Sequence, residues 1–183
     1  SHFHLLRQHA YVNWHRPLII ATPKSMLRNK QATSQPEDFL NGKWEPALAD
    51  PTITDPAKVN RVLLCSGKVR WELVAGRSKL GLDGQVAIVP LERLYPLPAK
   101  ELAEILKPYA HVSDIRWVQD EPENQGPYPY LALNLPAALK EHLPERDLQM
   151  RYVGRAAAAA PSTGSHKVHE QQEAALVSEA FGA

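Results

Sequence analysis

The stretch RVLLCSGKVRWELVAGRSKL, residues 61–80, contains the strand-to-helix transition that decides the fold. Residues 61–67 form a compact apolar run that ends in glycine, which is typical of a strand covered on both faces. After that glycine, Val69, Leu73 and Val74 recur at helical spacing. The stretch therefore predicts a β-strand at 61–67 that passes at once into an α-helix at 68–80.

The same alternation of strand and helix continues on both sides of this stretch. Apolar or alternating runs predict further strands at residues 16–22, 85–94, 111–119 and 147–155. Helical patterns predict further helices at residues 36–42, 96–109, 130–143 and 165–181. Such alternation through short loops predicts an α/β fold, with a three-layer αβα arrangement around a mostly parallel five-stranded sheet.

Three residues refine the predicted helix boundaries. Ser165 is placed to cap the start of the last helix, and Gly42 to end the first. Pro136 falls inside the 130–143 pattern, where it is expected to kink or divide the helix because proline lacks a backbone N–H.

Composition and charge narrow the range of partners. The 183 residues suffice for one domain with a buried core, and the formal net charge of +1 gives no reason to expect a nucleic acid or an anionic membrane as partner. No apolar run approaches the roughly 20 residues that span a bilayer. A single cysteine, Cys65, excludes an internal disulfide and a multi-thiolate metal site.

Two motifs suggest chemistry, but each has a plainer interpretation. The turn CSGK could hold an anion at a helix start, yet it lacks the glycines of a phosphate loop, so we expect a tight turn with a solvated Lys68. Cys65 ends an apolar strand and is expected to be buried and inert. His166 and His169 lie one helical turn apart without an evident third ligand, which favours surface histidines over a metal site.

The loop in WVQDEPENQGPYPY, residues 117–130, is the strongest candidate for recognition. It follows the carboxyl end of a predicted parallel strand, where open α/β sheets place their ligands and contacts. Pro122 and Pro127 stiffen it, which lowers the entropy lost on docking. We therefore expect Glu121, Asn124 and Gln125 to contact another domain or subunit, and the residue patterns assign no catalytic, cofactor-binding or metal-binding residue to the chain.

Five segments, taken in order, carry a family resemblance. They are RPLIIATPKSMLRNKQA, LLCSGKVRWEL, QVAIVPLERLYPLP, WVQDEPENQG and YVGRAAAAAPSTGSHKVHEQQ. Together they resemble the carboxyl-terminal, transketolase-like domain of the first component of 2-oxoglutarate dehydrogenase, from about Phe3 to Phe181. TPKSMLR and the EPxNQG pattern are distinctive of that family.

The resemblance implies a division of labour within a larger enzyme. Residues 1–15 would be the end of the preceding domain or a linker helix, and residues 16–183 a structural and dimer-forming domain. Thiamine diphosphate and Mg²⁺ would be bound by domains that this sequence does not include, so the isolated chain would be inactive. The intact homodimer would oxidatively decarboxylate 2-oxoglutarate and pass succinyl to lipoyl groups of the dihydrolipoyl succinyltransferase in the citric acid cycle. Its location would be the cytoplasm of a bacterium or the mitochondrial matrix of a eukaryote.

The resemblance also bears on regulation. Some relatives bind acetyl-CoA as an activator through basic side chains, and only Lys43 agrees clearly with that set. Glu101 stands where positive charge is wanted, which predicts weak or absent acetyl-CoA activation. Another nucleotide effector could use Lys43, Arg93 and Lys100. The alternative to a fragment of the dehydrogenase is a stand-alone nucleotide-binding or regulatory module of similar fold.

Overall fold

The computed structural model describes residues 1–13 and 16–182, which group into two units, Ser1–Pro46 and Ala47–Ala183. Trp14 and His15, at the end of the predicted 1–15 segment, and the last residue, Ala183, lie outside the described residues. The expected boundary after residue 15 concerns the intact protein and stays a prediction.

The first unit contains helices α1 (His2–Tyr11) and α2 (Pro36–Asn41), with two short 3-10 helices between them. The predicted helix over 36–42 is confirmed, and it ends before Gly42, as expected. The predicted strand over 16–22 is wrong, because this segment has no regular secondary structure and pairs with no described strand. Its central residue, Ile19, is 93% exposed. An apolar run becomes a stable strand only when a neighbour completes its hydrogen bonds.

The second unit is built on four parallel strands. They are β1 (Arg61–Cys65), β2 (Val86–Pro90), β3 (Asp114–Pro122) and β4 (Met150–Arg155). Their spatial order is β2-β1-β3-β4, and all three neighbouring pairs run parallel. The predicted α/β class with a parallel sheet is confirmed, with four strands in place of five.

Helices cover both faces of this sheet, which gives the predicted three layers. They are α3 (Val69–Lys79), α4 (Ala99–Leu106), α5 (Tyr128–Lys140) and α6 (His166–Phe181). Alternate residues of β1 point to opposite faces: Leu64 packs in one core cluster with residues of α4 and α5, and Leu63 in another with residues of α3 and α6. Helix α5 continues through Pro136, so the proline does not divide it.

A buried ion pair fixes α3 to the chain ahead of β1. Arg77 of α3 is 1% exposed and donates to Asp50 Oδ2 at 2.5 Å and to the Val86 carbonyl at 2.9 Å. Burial alone would raise the pKa of Asp50, but hydrogen bonds from Thr52, the Ile88 N–H and Arg77 bring that pKa below its usual value. The carboxylate is therefore held ionised inside the domain.

Strand β3 extends beyond its predicted end at Gln119 as far as Pro122. Its pairing with β4 changes register between Val118 and Pro122, which is the mark of a bulge. The bulge places the acidic loop at the carboxyl edge of the sheet. In the part of the chain that the structure describes, no helix is both long and apolar enough to cross a bilayer.

Candidate functional site

The candidate site is the loop that follows β3, and a buried glutamine fixes its shape. Gln119 is 2% exposed. Its Nε2 lies 3.2 Å from the carbonyl oxygens of Glu121 and Pro122 and donates to the Gln125 carbonyl at 2.8 Å. Its Oε1 accepts from the Trp117 indole N–H at 2.7 Å and from the Tyr128 backbone N–H at 3.0 Å. One side chain thereby satisfies buried backbone groups on both sides of the turn.

Gly126 allows the loop to close over Glu121. Its φ of +62° is in the left-handed region, and a Cβ there would stand 2.9 Å from the Glu121 Cβ. Only glycine meets both conditions without displacing the neighbouring side chain.

Asn124 and Gln125 bind a neighbouring segment of the same chain. The Asn124 and Gln125 amides donate to the Ala158 carbonyl at 3.0 and 2.8 Å, and the Ala158 N–H donates to Asn124 Oδ1 at 3.0 Å. Ala158 belongs to the alanine run 156–160, which is exposed and has no regular secondary structure. The loop and this run therefore form one continuous surface.

The end of β4 supports that surface from the other side. The Tyr152 hydroxyl lies 2.9 Å from the Glu121 carbonyl oxygen and 2.8 Å from that of Arg155. Burial, with the nearby charge of Glu123, raises the pKa of Tyr152 to about 12, so the phenol stays protonated. Arg155 donates to the carbonyls of Asp120 and Pro161, at 2.5 and 2.9 Å.

Of the predicted interface residues, only Glu121 has an exposed side chain without a hydrogen bond or ion pair among the described residues. Asn124 and Gln125 brace the alanine run instead of projecting freely. A contact of this loop with another domain or subunit stays a prediction.

Lys68 differs from the expected solvated side chain. Its ammonium is within 2.6 Å of Glu72 Oε1, 3.1 Å of Asp120 Oδ2 and 3.5 Å of Glu173 Oε1, and its side chain is 26% exposed. Although burial opposes it, the contacts with Glu72 and Asp120 raise the pKa of Lys68 above its ordinary value. A lysine surrounded by three carboxylates does not offer a site for an anion.

Cys65 is fully buried, as predicted. Burial raises the pKa of its thiol to about 12, and the charges of Glu92 and Asp50 act in the same direction. The thiolate that a nucleophile needs is therefore not formed near neutral pH.

The three effector candidates belong to two different units of the chain. Lys43 belongs to the first unit, where it lies 3.7 Å from Glu45. Arg93 and Lys100 belong to the second unit, and Arg93 lies 3.6 Å from Glu101. Lys100 is exposed. An effector site that uses all three residues stays a prediction.

The metal that accompanies thiamine diphosphate has no candidate set of ligands among the described residues. Residues 1–13 and 16–182 contain no group of three or more His, Cys, Asp or Glu side chains placed to hold a metal ion. His166 is 84% exposed at its side chain and lies 3.5 Å from Glu170, as a surface histidine would. The carboxylates of Glu72, Asp120 and Glu173 already surround an ammonium group. No step of thiamine chemistry is therefore assigned to this chain.

Sequence reasoning did not identify Gln119 or the carboxylates around Lys68. Gln119 appeared only as the end of a strand, and the partners of Lys68 come from three separate elements. A polar residue that closes an apolar run just before a proline-rich turn was the one available signal.

Comparison with known proteins gives a consistent family. Residues 33–181 match the family described as 2-oxoglutarate dehydrogenase C-terminal. The chain is 47% identical, over its whole length, to 15% of a "Multifunctional 2-oxoglutarate metabolism enzyme" of Mycolicibacterium vanbaalenii. It is 46% identical, again over its whole length, to 15% of a "2-oxoglutarate dehydrogenase E1/E2 component" of Corynebacterium glutamicum. The chain thus spans about 15% of the length of these curated relatives.

Proposed function

The chain belongs to the 2-oxoglutarate dehydrogenase C-terminal family, and on this premise we propose that it is the structural and dimer-bracing domain of a larger 2-oxoglutarate decarboxylating enzyme. The observation that carries the proposal is the identity of 46–47% over the whole chain to proteins of which it spans about 15%. In the intact protein, thiamine diphosphate and Mg²⁺ are bound by the other domains, and succinyl passes to the lipoyl groups of a dihydrolipoyl succinyltransferase. The bacterial sources of the relatives favour a bacterial cytoplasm.

The enzymatic test compares the chain with the intact protein that contains it. Both are assayed for decarboxylation of 2-oxoglutarate with thiamine diphosphate and Mg²⁺, and against other 2-oxo acids. We expect turnover by the intact protein, with 2-oxoglutarate preferred, and none by the chain alone. Turnover by the isolated chain, or preference for another 2-oxo acid, would contradict the proposal.

We propose that the loop after β3 and the alanine run 156–160 form the contact with another domain or subunit. The support is their shared surface, joined through Asn124, Gln125 and Ala158, and the exposed carboxylate of Glu121. The proline-stiffened shape and the buried Gln119 keep this surface ordered before docking, which lowers the entropy cost of association.

Charge reversal tests this surface. In the intact protein, Glu121→Lys is expected to weaken dimerisation at least tenfold by analytical ultracentrifugation, because like or unpaired charge at a contact is unfavourable. Glu145→Lys, a matched reversal at an exposed position ahead of β4, should leave the dimer unchanged. Equal behaviour of the two variants would contradict a contact between subunits through this loop.

The alternative function is a stand-alone nucleotide-binding or regulatory module, suggested by the strand-end loops CSGK and DEPENQG. In the first of these loops the Lys68 ammonium is already engaged by three carboxylates, which disfavours an anion site there.

A further inference from the structure

Four charged side chains from three elements meet at the carboxyl edge of the sheet. Lys68 precedes α3 and Glu72 lies in its first turn, Asp120 lies near the end of β3, and Glu173 lies in the middle of α6. Three carboxyl groups therefore share one ammonium, at 2.6, 3.1 and 3.5 Å. This cluster, termed the Lys68 cluster, carries more acid than its single base can neutralise.

Glu72 is the most enclosed acid of the Lys68 cluster. Its side chain is 20% exposed, against 26% for Asp120 and 33% for Glu173. Its Oε1 faces Lys68, while its Oε2 is fully buried and has no hydrogen-bond donor among the described residues. Glu173 approaches the same ammonium as Glu72, and besides burial its carboxyl group contributes to raising the pKa of Glu72. Two carboxyl groups that share one ammonium in a partly buried site repel each other less when one of them carries a proton.

Helix α6 depends on this cluster in its amino-terminal half. All three buried residues of the helix, Leu176, Ala180 and Phe181, lie in its carboxyl-terminal half, where Arg116 also donates to the Glu179 carbonyl at 2.6 Å. None of residues 166–175 is buried. Glu173, in that half, forms an ion pair with Lys68 at 3.5 Å, which attaches this part of the helix where apolar contacts are missing.

We propose that Glu72 and Glu173 share one proton beside Lys68, and that this proton latches the amino-terminal half of α6 onto α3 and the end of β3. Loss of the proton leaves three carboxylates around one ammonium and weakens the attachment of residues 166–175. Residues 156–165 lead directly into α6, so the latch also stabilises the carboxyl-terminal end of this segment.

The direction of the pH dependence follows from the surroundings of Glu72. Burial raises its pKa, and the charge of Asp120 and the contact with Glu173 raise it further, to about 7, against the opposing effect of Lys68. Lys79 of α3 and Glu170 of α6 line the open groove on the same side. Because the folded pKa is above the ordinary 4.5, the proton stabilises the latched state fully below pH 4.5. That stabilisation is lost as the pH rises from there through about 7.

Hydrogen exchange of the α6 amides measures the latch in the full chain. Between pH 5.5 and 7.5, protection factors over residues 166–175, corrected for intrinsic exchange, are expected to fall about twentyfold. This factor follows from a Glu72 pKa of 4.5 when the helix is detached and of about 7 when it is attached. In Glu72→Gln the neutral amide donates to Glu173 at every pH, so protection should not change over this range. Glu179→Gln removes a carboxylate of the same helix that pairs with Arg151 outside the cluster, and it should keep the wild-type response.

A second measurement needs no variant. In protein labelled with ¹³C at the glutamate carboxyl carbons, one resonance is expected to titrate with a midpoint near 7. Titration of every glutamate below pH 6 would overturn the proposal. So would wild-type protection of α6 that stays constant with pH, or a twentyfold change that persists in Glu72→Gln.

Discussion

At the scale of single residues, Gln119 connects several parts of the loop after β3 through the hydrogen bonds of one side chain. Its amide, on a side chain that is 2% exposed, completes hydrogen bonds for the Trp117 indole, the Tyr128 N–H and three loop carbonyls. A buried donor or acceptor left without its partner costs about 1–3 kcal/mol, so the loss of this side chain affects several groups at once.

Replacement of Gln119 by methionine tests this role, because methionine keeps the length of the side chain and removes the amide. We expect Gln119→Met to lower the free energy of unfolding by about 3 kcal/mol, since several buried groups lose their partners. Urea unfolding followed by tryptophan fluorescence measures the change. Gln125→Met removes a more exposed amide bonded to Ala158 and should cost no more than about 1 kcal/mol. Equal losses in the two variants would contradict the special role of Gln119.

Residue-scale roles were the least predictable from the sequence. The burial of Cys65 follows from its place in an apolar strand, and the sequence predicted it. The roles of Gln119 and Lys68 depend on partners that reach them only after β3 bulges and α6 docks. A pattern in the sequence records the type of a side chain but not the tertiary neighbours that it meets.

At the scale of elements, the parallel sheet was predictable because strands buried on both faces have almost continuously apolar sequences. The runs at β1 and β2 are almost continuously apolar, and each is followed by a pattern with helical spacing. Residues 16–22 also form an apolar run, yet the structure shows no strand there. The local sequence indicates that such a segment can form a strand, but it does so only where a neighbouring strand is available to pair with it.

The packing of α3 against α6 depends on the absence of a side chain at Gly76. A Cβ at this position would stand 2.6 Å from Val177 Cγ1 and 3.2 Å from the Phe181 ring. Alanine raises helix propensity by about 1 kcal/mol, whereas overpacking of a close contact costs about 1–3 kcal/mol. The two effects are opposed, and the distances indicate that overpacking wins.

We therefore expect Gly76→Ala to lower the midpoint of urea unfolding despite its better helix propensity. The double variant Gly76→Ala with Val177→Ala should recover much of the loss, because it removes the methyl group that clashes. Val177→Ala alone completes the double-mutant cycle. A single variant Gly76→Ala that is more stable than the wild type would show that the helices separate at little cost.

At the scale of the whole molecule, the chain is a small part of the proteins that it resembles. It spans about 15% of the relatives from Mycolicibacterium vanbaalenii and Corynebacterium glutamicum. The first unit exposes several large apolar side chains, including Tyr11 at 82%, Ile19 at 93% and Leu40 at 77%. If these side chains form one patch, it would mark a contact that another part of an assembly covers.

Ile19 provides a test of that expectation, because it stands at the centre of the unpaired segment 16–22. In the isolated chain, Ile19→Asp should change the free energy of unfolding by no more than about 0.5 kcal/mol, since the side chain is already in water. In the intact protein, we expect the same substitution to cost at least about 2 kcal/mol, the value of burying one large aliphatic side chain. Thermal and urea unfolding of both forms measure the difference, and Ile19→Val serves as the apolar control. Equal small effects in the two forms would mean that the rest of the polypeptide leaves this segment uncovered.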